Sequence, residues 1–285
     1  MSELAAVRCT GCGGAVAARP GTPMPVCLFC GAPASDLIPY LPPEGIENPE
    51  GAIGFAVSDA DARAAFSKFA RSSFWYPGDL RNATLELRHL LIPAWAWRGD
   101  VETHWTGLVK ASTRSGKRPV AGSERHTFEQ VLIPASQTLS LAELAALGAY
   151  DEGGLEPFVG DDDSDPYEVS ELTRSAARGA AQAEMARRHR ALVVRANGLV
   201  DCNAASVCVD LSGRPVLVPV FIGAYRYGDG LYRVLVNGQT GALHGSAPTS
   251  WWKVAGVALA VVAALGAIAL ALLVCSGGVA VFGSL

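Results

Sequence analysis

The sequence predicts an α+β protein in three parts: an N-terminal zinc ribbon, a β-rich α+β domain and a single C-terminal transmembrane helix. Three observations predict it. Four cysteines form two Cys-x-x-Cys pairs near the N-terminus, apolar strand-like runs separated by turn residues fill the middle, and an uncharged apolar run closes the chain. The expected boundaries are 1–35 for the ribbon, 36–53 for a proline-rich linker, 54–250 for the α+β domain and 251–285 for the transmembrane anchor and tail.

The ribbon is predicted from Cys9-x-x-Cys12 and Cys27-x-x-Cys30, each followed directly by a glycine. In a reducing compartment such pairs are metal ligands more often than disulfides. Four thiolates close a tetrahedral site and leave no open position for water, so we expect a structural Zn²⁺ that folds a segment too short to bury its own core. A redox dithiol pair or an iron site would suit the same spacing, and both alternatives stay open.

The charge pattern favours a protein partner for the ribbon over nucleic acid. Between residues 1 and 35 the charged side chains are Glu3, Arg8 and Arg19, so the ribbon has no cluster that could neutralise phosphates. The whole chain of 285 residues has a formal net charge of -4, with 18% charged residues. This balance excludes a pervasive basic surface.

Three helices are predicted from their capping patterns. Ser58 precedes two acids and opens a helix that runs to Arg71, and Ser140-Leu-Ala-Glu143 is a capping box for a short helix that ends near Leu147. We expect Asp165 to cap a third helix, with Pro166 in its first turn, over residues 167–189.

Strands are predicted between these helices. The strand-like runs are 84–93, 94–97, 102–111, 128–134 and the β-rich stretch 192–243. Leu91–Ala94, Leu132–Ala135 and Leu217–Val220 each place a proline inside an apolar run, which confines that proline to an edge, an end or a bulge. The recurrence indicates two related β-rich halves. The aromatic residues expected in the core are Phe55, Phe66, Phe69, Phe74 and Trp75.

The C-terminal run predicts a membrane anchor. Residues 254–274 contain no charged side chain, and at about 1.5 Å per residue they cover a hydrocarbon core of about 30 Å. Trp251, Trp252 and Lys253 precede the run, as expected where a helix leaves the headgroup layer. A buried helix of a soluble core is the alternative. Small residues spaced four apart would let a second membrane helix associate, although alanine is abundant throughout the chain.

The N-terminal segment predicts the orientation of the anchor. Residues 1–9 contain an early acid and lack an apolar stretch, so we expect no signal peptide. The predicted topology is therefore tail-anchored and single-pass in the cell (inner) membrane, with the N-terminal domain cytoplasmic.

Sequence motifs predict no catalytic residues and no cofactor other than Zn²⁺. The chain lacks a P-loop, a His-Glu-x-x-His pair and a Gly-x-Ser-x-Gly elbow. The five histidines are scattered, as surface or core residues are: His89, His104, His126, His189 and His244. The cysteines without ligand spacing are expected to be packing residues: Cys202, Cys208 and Cys275.

Several segments together resemble one bacterial protein family. They are the two Cys-x-x-Cys-Gly knuckles, Ile92–Trp95, Gly223–Tyr227, Val236–Gly241 with Gly245 and Pro248, and Ser250–Lys253 before the apolar run. The family consists of membrane proteins with a transcription-factor-IIB-type zinc ribbon, often labelled primosomal protein N′ or helicase-like. The resemblance covers most of the chain, and its most specific part is Asn-Gly-Gln-Thr-Gly.

This resemblance implies a membrane-tethered adaptor or scaffold. The helicase label does not transfer, because the nucleotide-binding motifs of a helicase are absent from the sequence. Some relatives are similar to partners of flotillin-like and phage-shock-type membrane-stress proteins, so we expect the chain to hold a protein partner at the lipid bilayer. The alternatives are a nucleic-acid-binding ribbon protein at the membrane and a membrane-associated enzyme of unknown chemistry.

Overall fold

A computed structural model describes residues 6–17, 24–112, 116–158 and 165–281, with the side chains of the last helix described as far as Leu272. The architecture is α+β, as predicted. The helices are α1 (Asp59–Phe69), α2 (Leu141–Ala146), α3 (Arg174–Ala196) and α4 (Trp251–Val281). The strands are β1 (Ala6–Cys9), β2 (Ala15–Ala17), β3 (Leu37–Tyr40), β4 (Gly51–Ile53), β5 (Leu85–Lys110), β6 (Lys117–Pro134), β7 (Leu155–Glu156), β8 (Leu199–Tyr227), β9 (Gly230–Asn237) and β10 (Leu243–Gly245).

A large sheet forms around the two longest strands, β5 and β8. These strands pair antiparallel along nearly their whole length, from Leu85 with Tyr225 to Val109 with Leu199. The outer side of β5 pairs with β6, and the outer side of β8 pairs first with β4 and then with β9. The sequence predicted three separate strands over residues 84–111, whereas the structure has one continuous strand.

The centre of this sheet is buried on both faces. Every residue from Leu90 to Trp97 is buried. Even-numbered positions such as Ile92 pack in one apolar layer with α2, and Trp95 and Trp97 pack in the other layer with Met185 of α3. A strand covered on both faces has an apolar run instead of the alternation of a half-exposed strand, which explains this part of the sequence.

The three proline-containing segments lie side by side in this sheet. Pro134 is the last residue of β6, and its partner Ala94 is the first residue of β5 that pairs with β6. Pro93 therefore lies just beyond the end of β6. Pro219 lies just beyond Val220, where the pairing of β8 with β9 ends. Pro134 thus ends its strand, as predicted, whereas Pro93 and Pro219 lie inside β5 and β8 and not at an end of either strand. Each of the two lies beside the end of a neighbouring strand, because proline has no N–H for the ladder.

Two of the predicted helices are confirmed and the start of the third is wrong. α1 and α2 begin with complete capping boxes at Ser58 and Ser140. α3 begins at Arg174 with Thr173 as its cap, seven residues beyond the predicted start at 167. Residues 166–170 stay extended because their backbone bonds both to Leu91 of β5 and to β2.

The predicted linker, 36–53, holds two strands. β3 pairs with β1 and completes a three-stranded sheet with the order β2-β1-β3. Pro39 is tolerated there because β3 lies at the edge of that sheet. β4 joins the large sheet beside β7 and β8. The ribbon therefore extends beyond its predicted boundary at residue 35, to Tyr40.

α4 is the candidate membrane helix. Its segment Trp251–Leu272 has a mean hydropathy of 2.6, and none of it is buried against the rest of the protein. It is long and apolar enough to cross a bilayer.

Two of the aromatic residues that were predicted to lie in the core are exposed on the surface of the protein. Phe74 and Trp75 are 64% and 42% exposed, in a loop between α1 and β5, whereas Phe66 is buried as predicted.

Candidate metal centre

The two cysteine pairs lie in knuckles of the same backbone form. The Gly13 N–H donates to the Cys9 carbonyl at 2.9 Å, and the Gly31 N–H donates to the Cys27 carbonyl at 3.0 Å. Both glycines adopt left-handed backbone angles, with φ of 79° and 76°. A side chain at either position would strain this turn, which explains why a glycine follows each Cys-x-x-Cys pair.

These knuckles bring the four predicted ligands together. The Sγ atoms of Cys9 and Cys30 are 3.7 Å apart, those of Cys12 and Cys27 are also 3.7 Å apart, and all four lie within 4.8 Å of one another. A tetrahedral ion with metal–sulfur bonds of about 2.3 Å requires sulfur–sulfur distances of about 3.8 Å. A disulfide requires about 2.0 Å. The cluster therefore fits one four-coordinate metal ion and not a pair of disulfides.

The environment of the cysteines favours metal binding. Burial alone would raise the pKa of the Cys9 thiol, but hydrogen bonds from the amides of Cys12 and Gly11 outweigh it and lower the pKa to about 7. Burial raises the pKa of Cys12 and of Cys27. A bound metal ion displaces such thiol protons outright. Cys9 therefore loses its thiol proton more readily than Cys12 and Cys27, whose protons a bound ion would displace.

The ribbon is packed against the large domain. Val16 of β2 bridges to Glu168, and the Val169 N–H donates to the Ala15 carbonyl at 2.8 Å. Arg8 forms an ion pair with Glu171, and its guanidinium lies 3.8 Å from the centre of the Tyr40 ring. In the second knuckle, Leu28 and Phe29 pack against the core of the sheet. The metal centre therefore has a fixed position relative to the domain.

A buried carboxyl lies at this junction. Glu168 is 2% exposed, and its oxygens accept from the Thr138 hydroxyl at 3.1 and 3.2 Å. Burial raises the pKa of Glu168 to about 7, although the Thr138 hydroxyl and the charge of Arg233 act in the opposite direction. Sequence reasoning missed this residue, because a single glutamate inside a predicted helix carries no distinguishing pattern.

A cleft of about 650 Å³ separates the second knuckle from the face of the large sheet. Phe29 and Ile222 supply apolar parts of its lining, and Arg88 and Arg233 supply cationic parts. A guanidinium nitrogen of Arg88 lies 3.2 Å from the position that a Cβ at Gly31 would occupy. Arg233 donates to the Thr138 carbonyl at 2.7 Å. The Arg88 guanidinium thus lies next to the second knuckle, where it also pairs at 3.3 Å with Glu86, another residue that lines the cleft.

A histidine and two cysteines outside the knuckles have the environments of structural residues. His189 is buried, its Nδ1 lies 2.8 Å from the Thr103 hydroxyl, and burial lowers its pKa. Cys202 is buried and Cys208 is half-buried, as packing residues are, and the side chain of Cys275 lies outside the described residues. These observations match the predicted roles of His189 and of the two described cysteines.

Asn237, in the most specific segment of the family resemblance, has a structural role. It is fully buried; its Oδ1 accepts from the backbone of Gln239 at 2.8 Å, and its Nδ2 donates to the Leu147 carbonyl at 3.1 Å. The left-handed position in this turn is Gly241, with φ of 75°. The segment locks the β9–β10 turn onto the end of α2.

Comparisons of this chain with protein-family models, with curated proteins and with solved structures find no match. The resemblance to membrane-anchored zinc-ribbon proteins therefore stays a prediction.

Proposed function

We propose that this protein is a membrane-anchored zinc-ribbon adaptor that holds a protein partner at the cytoplasmic surface of the cell membrane. Cys9, Cys12, Cys27 and Cys30 bind one structural Zn²⁺, α4 anchors the chain, and the ribbon presents the contact surface. Zn²⁺ is the ion that closed four-thiolate sites typically hold. It keeps the ribbon folded and takes no part in a reaction, because all four positions are filled by protein ligands.

The observation that carries this proposal is an exposed apolar surface on the metal-held ribbon. Ile38 and Leu41 are 47% and 81% exposed, on and just beyond the edge strand β3. One side of β3 pairs with β1. Exposed apolar side chains beside an edge strand are suited to a protein contact.

The charges of the ribbon argue against the nucleic-acid alternative. In the described ribbon segments, 6–17 and 24–40, the charged side chains are Arg8 and Asp36. Arg8 is already paired with Glu171. Nucleic-acid binding depends on several cations that neutralise phosphates, and these segments do not supply them.

Crosslinking in native membranes tests the adaptor function. The full-length chain with an N-terminal affinity tag is crosslinked before solubilisation, and the captured proteins are quantified by mass spectrometry. Three variants accompany it: Cys27→Ser, the double variant Ile38→Asp/Leu41→Asp, and Val207→Asp as a matched control. Val207 is 59% exposed on β8, away from the ribbon.

We expect one defined set of proteins with the unmodified chain and with Val207→Asp. That set should be lost with Cys27→Ser and with Ile38→Asp/Leu41→Asp, while the double variant still contains one zinc ion per chain. The same proteins captured with all four chains, or nucleic acid captured in their place, would overturn the adaptor function.

A further inference from the structure

The start of α4 is bound directly to a loop of the large domain. The Ser250 N–H donates to the Trp75 carbonyl at 2.8 Å. The Lys253 ammonium donates to the Phe74 carbonyl at 2.9 Å and to the Tyr76 carbonyl at 2.7 Å, and it lies 5.2 Å from the centre of the Phe74 ring. These bonds fix the loop 72–76 to the first turn of the helix.

The chain that leads into α4 is also held. The Ser246 N–H donates to the Arg233 carbonyl at 3.2 Å, and the Ser246 carbonyl accepts from the Tyr225 hydroxyl at 2.7 Å. Ala247 packs against the core around Tyr225. The connection from β10 to α4 is therefore bound to the domain and is not a flexible linker. The domain keeps its orientation relative to the helix.

The exposed tryptophans of this protein are concentrated at that junction. The sequence has six tryptophans, all within the described residues. Trp75, Trp251 and Trp252 are 42%, 78% and 90% exposed, whereas Trp95, Trp97 and Trp105 are buried. Phe74 adds a fourth exposed ring. Aromatic side chains that combine an apolar body with a polar edge favour the boundary between lipid and water.

The charge around the loop also suits a membrane surface. Residues 68–81 contain Lys68, Arg71 and Arg81, and the Lys253 ammonium binds the Phe74 carbonyl within the same segment. The one acid in that segment is Asp79, which accepts from the Tyr227 hydroxyl at 2.7 Å. The junction is thus cationic on a chain whose formal net charge is -4. Cationic side chains next to a membrane helix attract anionic headgroups.

We propose that the loop 72–76 is a second membrane contact, with Phe74 and Trp75 in the headgroup layer of the leaflet that Trp251 and Trp252 enter. The occupant of this aromatic surface is a bilayer with anionic headgroups. The inference rests on α4 as a membrane anchor, and it adds that the folded domain lies directly on the bilayer. The ribbon, which is packed against that domain, is then held at a fixed orientation above the membrane.

Fluorescence quenching by brominated lipid tests this contact in the full-length chain. The chain is reconstituted into nanodiscs of anionic and zwitterionic lipid, with acyl chains brominated near their carbonyl ends. In a Trp251→Phe/Trp252→Phe background, Trp75 is the one exposed tryptophan that remains. The matched control adds Trp75→Phe to that background, which leaves the three buried tryptophans.

We expect the brominated lipid to quench the background variant clearly more than the matched control, and to quench it more strongly in anionic than in purely zwitterionic nanodiscs. Equal quenching with and without Trp75 would overturn the proposal. The anchor is tested separately with the single variant Trp75→Phe. If brominated lipid fails to quench Trp251 and Trp252 in that variant, α4 does not enter the bilayer.

Discussion

The ribbon and the large sheet are both β-structures, but they are stabilised by different means. The ribbon strands have four, three and four residues, whereas β5 and β8 have 26 and 29 residues. The centre of the sheet is covered by apolar layers on both faces. The ribbon has a small core, so we propose that its fold depends on a metal ion held between its two knuckles. Changes to the cysteines and changes to the sheet should therefore have separable effects.

The largest effect is expected from loss of a metal ligand. Cys27→Ser should reduce the metal content from one ion per chain to none and unfold the ribbon, because a structural Zn²⁺ contributes roughly 10 kcal/mol or more of folding free energy. Metal analysis and hydrogen exchange of residues 6–17 measure this. The amides of β5 and β8 should keep their protection.

The matched control is Cys208→Ser, because Cys208 is half-buried and away from the knuckles. It should keep one metal ion per chain. If Cys27→Ser removed protection from β5 as well, the two regions would form one cooperative unit, and the contrast between them would be wrong.

A substitution in the core of the sheet should lower the stability of the domain and leave the metal content unchanged. Ile92 of β5 is fully buried in the apolar layer that also contains Leu144 of α2. Ile92→Ala should therefore lower the free energy of unfolding of the domain by about 3–4 kcal/mol through lost contacts and a cavity. Denaturant unfolding measures this change. The metal content should stay at one ion per chain. If Ile92→Ala released the metal under native conditions, the ribbon and the sheet would not be stabilised independently.

The junction between the two regions should depend on pH through Glu168. Because burial raises its pKa to about 7, the folded state binds the proton more tightly than the unfolded state does. Stability from this group is therefore complete at acidic pH and is lost as the pH rises to about 7. Glu168→Gln should stabilise the protein by up to about 3 kcal/mol at pH 8, where the unmodified side chain is buried as a carboxylate.

Unfolding measured at several pH values between 5 and 8 checks this prediction. The difference between Glu168→Gln and the unmodified chain should be small at pH 5 and grow towards pH 8. Glu171→Gln serves as the comparison, because Glu171 is paired with Arg8. A constant difference between Glu168→Gln and the unmodified chain across this range would refute the raised pKa.

The smallest effect is expected from the ion pair between Arg8 and Glu171. The Arg8 side chain is 31% exposed, so solvent screens the pair and its coupling should be about 1 kcal/mol. A double-mutant cycle with Arg8→Met and Glu171→Gln measures that coupling through the hydrogen exchange of β2. No measurable coupling would show that β2 is held by its backbone bonds alone.

The sequence predicted the parts of this structure that depend on local spacing. The clustering of the four cysteines follows from the Cys-x-x-Cys-Gly pairs, and the starts of α1 and α2 follow from capping residues at Ser58 and Ser140. The uncharged apolar run near the end of the sequence predicted a long apolar helix, and α4 is that helix. In each case the determining atoms lie within a few residues of one another.

The features that the sequence missed depend on contacts between distant segments. Residues 166–170 are extended because β2 and Leu91 supply hydrogen-bond partners for their backbone. The local sequence does not predict those partners. Phe74 and Trp75 were expected in the core because aromatic residues usually are buried, yet they lie exposed beside α4. Glu168 is buried where Val16 of the ribbon bridges to it, and this contact joins segments that are distant in the sequence.

X-ray absorption at the zinc edge of the purified full-length chain tests whether the four cysteines hold one zinc ion. We expect one zinc ion per chain with four sulfur neighbours at about 2.3 Å and no nitrogen or oxygen neighbour. Fewer than four sulfur neighbours, an oxygen ligand from water, or a chain that is folded at residues 6–17 without any metal would contradict it.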